Sequence, residues 1–260
     1  MPTQFQVIIK KNPAQLSDTS ATLFAESAGH AIERKGFFTV ALSGGSTPRG
    51  MHRRLAEEPF RSNISWEKIH LFWVDDRCVP VEDPASNYGA ARKDFIDQLS
   101  ILKKNIHPMP AHMAPHEGAV HYQREIMDFF ETGTHEIPVF DLILLGIGTD
   151  GHTASLFPET SALEEQKQLV SMVKAGMPNV NRLTMTYPIL NQARKVVFLA
   201  SGKGKSDIIH ALLEKKQRDL PALGIQPRSG KLVWLLDRKA ASLLPMNQGS
   251  DFIGSYAFRS

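Results

Sequence analysis

The sequence predicts an α/β fold: a single domain over residues 1–260, with a mostly parallel open sheet and helices on both faces, Rossmann-like in its alternation. Three observations carry this expectation. Five short runs, FFTVALS, IHLFWVD, VFDLILLG, KVVFLAS and KLVWLLD, are apolar at consecutive positions and end at turn residues, as strands covered on both sides must be. Segments with helical spacing lie between them. The 260 residues can bury one substantial core, and no repeat, low-complexity tract or linker divides them. EIPVFD is the best boundary candidate, but it lacks the proline content of a linker.

Taken in order, residues 14–35 predict a helix, with Leu23, Phe24, Ala28 and Ile32 near helical spacing and Gly36 as its stop. FFTVALS is the first strand run, and SGGSTPRG after it opens a helix with Pro48 in the first turn, where its missing N–H costs nothing. IHLFWVD is the second run. Residues 87–99 place Ala91, Phe95 and Leu99 four apart on one helix, and PHEGAVHYQREIMDFFETG reads as another. VFDLILLG is the third run, followed by the strand candidate QLVSMV and by NRLTMTYPIL, a strand turned at Pro188. After KVVFLAS, residues 204–216 predict a helix, and KLVWLLD is the fifth run.

Composition narrows the classes of function. Hydrophobic residues are 42%, charged residues 22% and the net charge is +3, ordinary for a soluble globular protein and far from the charge density of a nucleic-acid binder. The pI of 8.9 is a mild bias toward anionic ligands. Cys78 is the sole cysteine, so no intramolecular disulfide is available and a reducing compartment is expected. No apolar run of membrane-spanning length and no signal-like start is present. These features set the expectation of a cytoplasmic protein with no membrane and no nucleic acid among its partners, and no obligate protein partner evident.

Ligands of open parallel sheets bind beyond the carboxyl ends of the strands. Four strand runs end in loops suited to that place: GGSTP, DDRCVP, GIGTDGH and GKGK. In the first, Gly44 and Gly45 let backbone amides approach an anion while Ser46 and Thr47 add hydroxyls at a helix N-terminus. The plainer alternative is a capped turn. In the second, Asp75, Asp76 and Arg77 stand at a strand end; Arg77 suits a phosphate, and Asp75 or Asp76 suits a sugar hydroxyl or the arginine itself. The alternative here is a surface ion pair. Cys78 has no adjacent base and reads as an inert thiol.

The third loop spells G-x-G-x-x-G through Gly146, Gly148 and Gly151, the outline of a dinucleotide fingerprint. That reading fails, because Pro158 cuts the following helix after a turn or two. The next acidic residues, Glu164 and Glu165, precede the strand candidate QLVSMV instead of ending it. What remains is a tight loop that presents Asp150 and His152, an imidazole able to exchange a proton near neutral pH when a carboxylate fixes its tautomer. Ser155 lacks the G-x-S-x-G elbow of a nucleophile. Arg182 and Lys205 lie at strand ends beside the same edge, where the alternative is a solvated surface charge. The cluster His107, His112, His116 and His121 hints at zinc, but Pro110 and Pro115 prevent one continuous helix from presenting all four, so no metal site is expected.

With these motifs in hand, the sequence resembles the glucosamine/galactosamine-6-phosphate isomerase family, and within it the 6-phosphogluconolactonase subfamily. The likeness covers nearly the whole chain, through ALSGGSTP, FWVDDRCVPVEDPASNY, LLGIGTDGHTASLFP, NRLTMTYPILNQAR and ASGKGKSD. GHTASLFP and DDR...VEDPASNY are the lactonase forms, where a deaminase reads closer to GHIAFNEP and DEY. The subfamily usually has Glu at the position of Asp76. The resemblance implies hydrolysis of 6-phospho-glucono-δ-lactone to 6-phosphogluconate, in the oxidative pentose phosphate pathway, with no cofactor. It also implies His152 as general base, assisted by Asp150. The substrate contacts it carries over are Gly44, Gly45, Ser46, Thr47, Asp75, Arg77, Arg182 and Lys205. Two alternatives stay open: a glucosamine-6-phosphate isomerase/deaminase, and a non-catalytic sugar-phosphate sensor, for which an Asp150/His152 pair has no use.

Overall fold

In the computed structural model, which describes residues 4–133, 136–177, 179–215, 219–245 and 252–257, the chain opens with β1 (Gln4–Lys10), α1 (Pro13–Lys35) and β2 (Phe38–Leu42). Helices α2 (Ser46–Leu55) and α3 (Phe60–Asn63) lead to β3 (Ile69–Trp73) and β4 (Asp75–Arg77). Next come α4 (Asn87–Asp94), β5 (Ile106–His107), α5 (Pro115–Phe129) and β6 (Leu142–Leu145). The remainder is β7 (Val170–Ala175), β8 (Val180–Met185), α6 (Tyr187–Leu190), β9 (Lys195–Ala200), α7 (Ser206–His210), β10 (Lys231–Asp237) and β11 (Phe252–Ala257).

The main sheet has the order β11-β1-β10-β9-β6-β2-β3-β5. Every neighbouring pair in it is parallel except β1 with β11, which closes one edge antiparallel. The expected α/β class with a mostly parallel sheet is what forms. All five strand runs read from the sequence are strands of this sheet. Strand β2 is buried at all its positions, Phe38, Thr39, Val40, Ala41 and Leu42, as a strand packed on both faces requires. Burying each such large apolar side chain contributes about 1.5–3 kcal/mol.

Crossovers between parallel strands are right-handed, so the direction of travel along the sheet fixes the face. The moves β1 to β2 and β2 to β3 run toward β5 and put α1 and α2 together on one face, where they pack against each other. The moves β5 to β6, β6 to β9 and β9 to β10 run the other way and put α5 and α7 on the opposite face. The connection from β6 to β9 also carries β7 and β8, which join β4 in a second sheet ordered β4-β8-β7, with α5 packed on it. Val74 ties the two sheets: its N–H donates to Leu42 and its carbonyl accepts from Met185.

Local chemistry explains the ends of α1. The Asn12 side chain accepts from the Gln15 N–H, and Gly36 at φ 87° returns its N–H to Ile32.

Four sequence expectations need correction. The helix over 87–99 breaks at Phe95 (φ −156°) and resumes as a 3₁₀ turn over Ile96–Gln98. The helix over 204–216 is three pieces: a 3₁₀ turn Lys203–Lys205, α7, and a π-helical turn Ala211–Lys215, with residue 216 outside the described residues. Pro188 does not turn a strand; β8 ends at Met185 and Pro188 sits in the first turn of α6, where it needs no N–H partner. Asp75–Arg77 is not the end of a main-sheet strand but a strand of its own. Among the described residues no helix is long and apolar enough to cross a membrane.

Candidate active site

Strands β2 and β6 are neighbours whose continuing segments depart to opposite faces, which makes the crevice between them the topological switch point where open sheets bind ligands. A cleft of about 230 Å³ lies there. Gly44, Gly45, Ser46, Thr47, Asp75, Arg77, His152, Arg182 and Lys205 all line it, so the four loops read from the sequence do converge. Asp150 stands just behind, in contact with His152.

His152 comes from the loop after β6. No helix follows that loop: Thr153 and Leu156 form an isolated bridge, and the next helical turn is Ser161–Leu163, as a dinucleotide fold would not allow. Gly148 donates its N–H to the His152 carbonyl at 2.8 Å, and Gly151 turns the chain at φ 82°. The Asp150 carboxylate accepts from the His152 backbone N–H at 3.1 Å and lies 2.6 Å from Nδ1. Burial alone would push the Asp150 carboxyl up, but the backbone N–H and imidazole of His152 outweigh it and hold it below its ordinary range. An ionised Asp150 accepts a hydrogen bond from Nδ1–H, which leaves the lone pair on Nε2. The ring stacks on Phe157 at 4.1 Å between centroids. The imidazole is therefore fixed in tautomer and in plane.

The cations sit opposite. Arg182 is not at a strand end as the sequence suggests; it is the third residue of β8, 5% exposed, and directly across from Arg77 of β4. Residues directly opposite on antiparallel strands project to the same face, and like charges there are destabilising. Among the described residues no carboxylate forms an ion pair with either of them. Arg77 donates to the Ala85 carbonyl (2.9 Å) and Asn87 Oδ1 (2.7 Å), Arg182 to the Ala175 carbonyl (3.0 Å), and Lys205 to the Ile147 carbonyl (2.7 Å). Each hydrogen-bond partner is a neutral oxygen, while Asp75 and Asp76 act on Arg182, and Asp150 on Lys205, only through space. Burial, and for Arg182 the neighbouring Arg77, lowers the pKa of Arg182 and of Lys205. Arg182 also lies over the Phe157 ring, 5.1 Å from its centroid, so one aromatic ring braces both the imidazole and a guanidinium.

On the third side, α2 begins at Ser46 with no side-chain cap, so its first-turn N–H groups are open toward the cleft. Gly45, at φ 101°, makes that entry. Gly44 lies against Asn87, where a Cβ would fall 1.8 Å from Oδ1. Asn87 also donates to the Asp75 carbonyl at 2.9 Å.

Sequence reasoning missed Asn87 and Phe157, although both lie inside motifs it quoted. Ser86 before Asn87 is a helix N-cap signal that marks where Asn87 turns inward. Ser155, set aside as a nucleophile, is fully buried and donates to Asp75 Oδ2 at 2.6 Å. Asp76 neither lines the cleft nor carries the arginine side chain, contrary to one option for it; its carboxylate binds backbone N–H groups. The Cys78 thiol is pushed up by burial and by Asp76, away from nucleophile chemistry. The four histidines do not meet: His107 pairs with Glu125 (2.9 Å) and His70 (3.3 Å), while His112 and His121 line a separate cavity behind Asp76. Among the described residues no three His, Cys, Asp or Glu side chains are grouped to hold a metal ion.

The model of the family described as glucosamine-6-phosphate isomerases/6-phosphogluconolactonase matches residues 11–234. A 6-phosphogluconolactonase of Synechocystis sp. is 42% identical over 94% of this chain and 99% of its own. One from Rattus norvegicus is 35% identical over 94% of this chain and 95% of its own. The solved structure of a 6-phosphogluconolactonase from Trypanosoma cruzi superposes with a TM-score of 0.84 at 28% identity, covering 95% of this chain and 99% of that one.

Proposed function

The chain belongs to the family of glucosamine-6-phosphate isomerases and 6-phosphogluconolactonases, and on that footing we propose that it hydrolyses 6-phospho-D-glucono-1,5-lactone to 6-phospho-D-gluconate with His152 as general base. The observation that carries this reading is one cleft holding a carboxylate-oriented imidazole and three cations whose hydrogen-bond partners, among the described residues, are neutral oxygens. A phosphate carries about −1.5 to −2 charges at neutral pH, enough to offset the repulsion between Arg77 and Arg182. Its oxygens take the remaining donors of Arg77, Arg182 and Lys205, with the open N–H groups of α2 beside them.

Anchored by that phosphate, the lactone ring lies toward His152. Nε2 removes a proton from water as the oxygen attacks C1, and a tetrahedral oxyanion forms. The imidazolium, stabilised by Asp150 and by the face of Phe157, then gives the proton to the ring oxygen as the C1–O bond breaks. Water supplies all the atoms added, so the scheme calls on no metal and no cofactor. General base catalysis of this kind contributes about 10²- to 10⁴-fold, and positioning supplies more.

The test is release of acid from freshly generated lactone, corrected for spontaneous hydrolysis, beside ammonia release from glucosamine 6-phosphate. Acid release without ammonia is the expected result. Ammonia release would move the chain to the isomerase/deaminase branch, and binding without either would make it a sensor. Arg182→Ala or Lys205→Ala should raise KM about tenfold or more with a smaller effect on kcat; unchanged KM in both would remove the phosphate from this place.

A further inference from the structure

Asp76 is 2% exposed, and its hydrogen bonds join the two ends of one loop. Oδ1 accepts from the backbone N–H of Arg77 (2.8 Å) and of Asn87 (2.7 Å). Oδ2 accepts from the N–H of Tyr88 (3.0 Å) and the hydroxyl of Ser86 (3.3 Å). One carboxylate thus closes the base of the loop between β4 and α4, and it satisfies N–H groups that the first turn of α4 leaves open. The far end of that loop aims the arginine. Arg77 donates to the Ala85 carbonyl and to Asn87 Oδ1, and Asn87 in turn donates to Asp75. Asp76 holds the backbone at 86–88, that backbone places Asn87, and Asn87 places the guanidinium.

We infer that Asp76 is a positioning residue for anion binding: by stapling both ends of the β4–α4 loop it holds Arg77 in the cleft without itself touching substrate. The identity of the anion rests on the function proposed above; the staple rests on geometry. Asparagine at this position keeps the shape but turns one acceptor oxygen into an N–H donor, which must face an N–H group of the loop. Glutamate keeps both acceptors.

The carboxylate is also sensitive to pH. Burial pushes its pKa up to about 6, with the N–H groups of Tyr88, Asn87 and Arg77 resisting and the Asp75 carboxylate adding to the push. The other titratable groups facing it are Arg182, Cys78 and Tyr122 and, across a shared cavity, Tyr88, His112, His121 and Glu125. Below pH 6 the wild type carries a protonated Asp76 and loses the acceptor that Asp76→Asn removes at every pH.

The experiment measures the Kd of 6-phosphogluconate calorimetrically for wild type, Asp76→Asn and Asp76→Glu, with lactone kcat and KM alongside. At pH 7.5, Asp76→Asn should weaken binding and raise KM about tenfold or more, with kcat within about twofold. Asp76→Glu should stay within about threefold of wild type. At pH 5 the ratio between wild type and Asp76→Asn should shrink toward one, while the protonation of the ligand's own phosphate affects both proteins alike. Equal affinity of wild type and Asp76→Asn at pH 7.5 overturns the inference. So does a fall in kcat at unchanged KM, which is what a less well folded enzyme gives. A wild type that binds the probe, shows the Asp76→Asn loss and leaves the lactone intact supports the staple while removing the lactonase.

Discussion

A Cβ placed on Gly148 would lie 2.1 Å from His152 Nδ1 and 2.5 Å from Asp150 Oδ1, distances that no side chain tolerates. Gly148→Ala must therefore push the imidazole off its carboxylate. Loss of a positioned base costs about 10²-fold or more, so if the proposed mechanism holds this variant should lose most of its kcat while KM, which that mechanism assigns to the cations across the cleft, changes little; a near-normal kcat would mean that the Asp150–His152 contact does not matter. At this scale the sequence revealed the chemistry better than the support. Asp150, His152, Arg77 and Lys205 announce themselves by type and by loop. Phe157 and Asn87 do not, because their roles are contacts that only the folded loops create, the Phe157 ring under His152 and Arg182, and the Asn87 amide between Arg77 and Asp75. Arg182 was found for a partly wrong reason: it marks the middle of a strand, where a buried arginine opposite another arginine is the stronger sign of an anion site.

Helix α2 supplies the N-terminal donors of the cleft and carries His52 into the interior, 2% exposed and stacked on Phe95 at 4.8 Å, with no partner for either ring nitrogen. Burial lowers its pKa to about 4 from 6.5, opposed by Asp94 and helped by Arg49 and Arg53. Between those values the unfolded chain binds a proton that the folded chain refuses. The stability from His52 is complete above pH 6.5 and falls as pH drops toward 4, by about 3 kcal/mol in all. His70, also lowered to about 4, acts in the same direction. In urea titrations, His52→Leu should show a shallower loss of stability over this range than wild type; parallel losses would mean that His52 is not buried neutral. Among elements, the legible ones were those whose environment is uniform. Strands β2, β3, β6, β9 and β10 are covered on both faces and read as apolar runs. Strand β1 alternates Gln4 and Gln6 with Phe5 and Val7, β4 is three charged residues, and β5 is two residues long, so each is defined by its neighbour in the sheet rather than by its own pattern. The same holds for the break of α4 at Phe95, where the ring leaves the helix to pack on His52 and Trp66.

Over the whole molecule, the class was legible and the strand order was not. β10 inserts between β1 and β9, a placement fixed by long-range pairing that no local pattern records. The order matters for the site because it sets β2 beside β6 and brings the 44–47 loop of one against the imidazole loop of the other. The second sheet then adds Arg77 and Arg182 as a cross-strand pair, so under the function proposed above the two binding arginines and the catalytic imidazole come from separate parts of the fold. That separation is the central claim, and kinetics of His152→Ala on freshly generated lactone test it most directly. The expected result is a kcat lower by about 10²-fold or more, with the Kd of 6-phosphogluconate within about threefold of wild type. Ordinary turnover, or a loss of affinity matching the loss of rate, would contradict it.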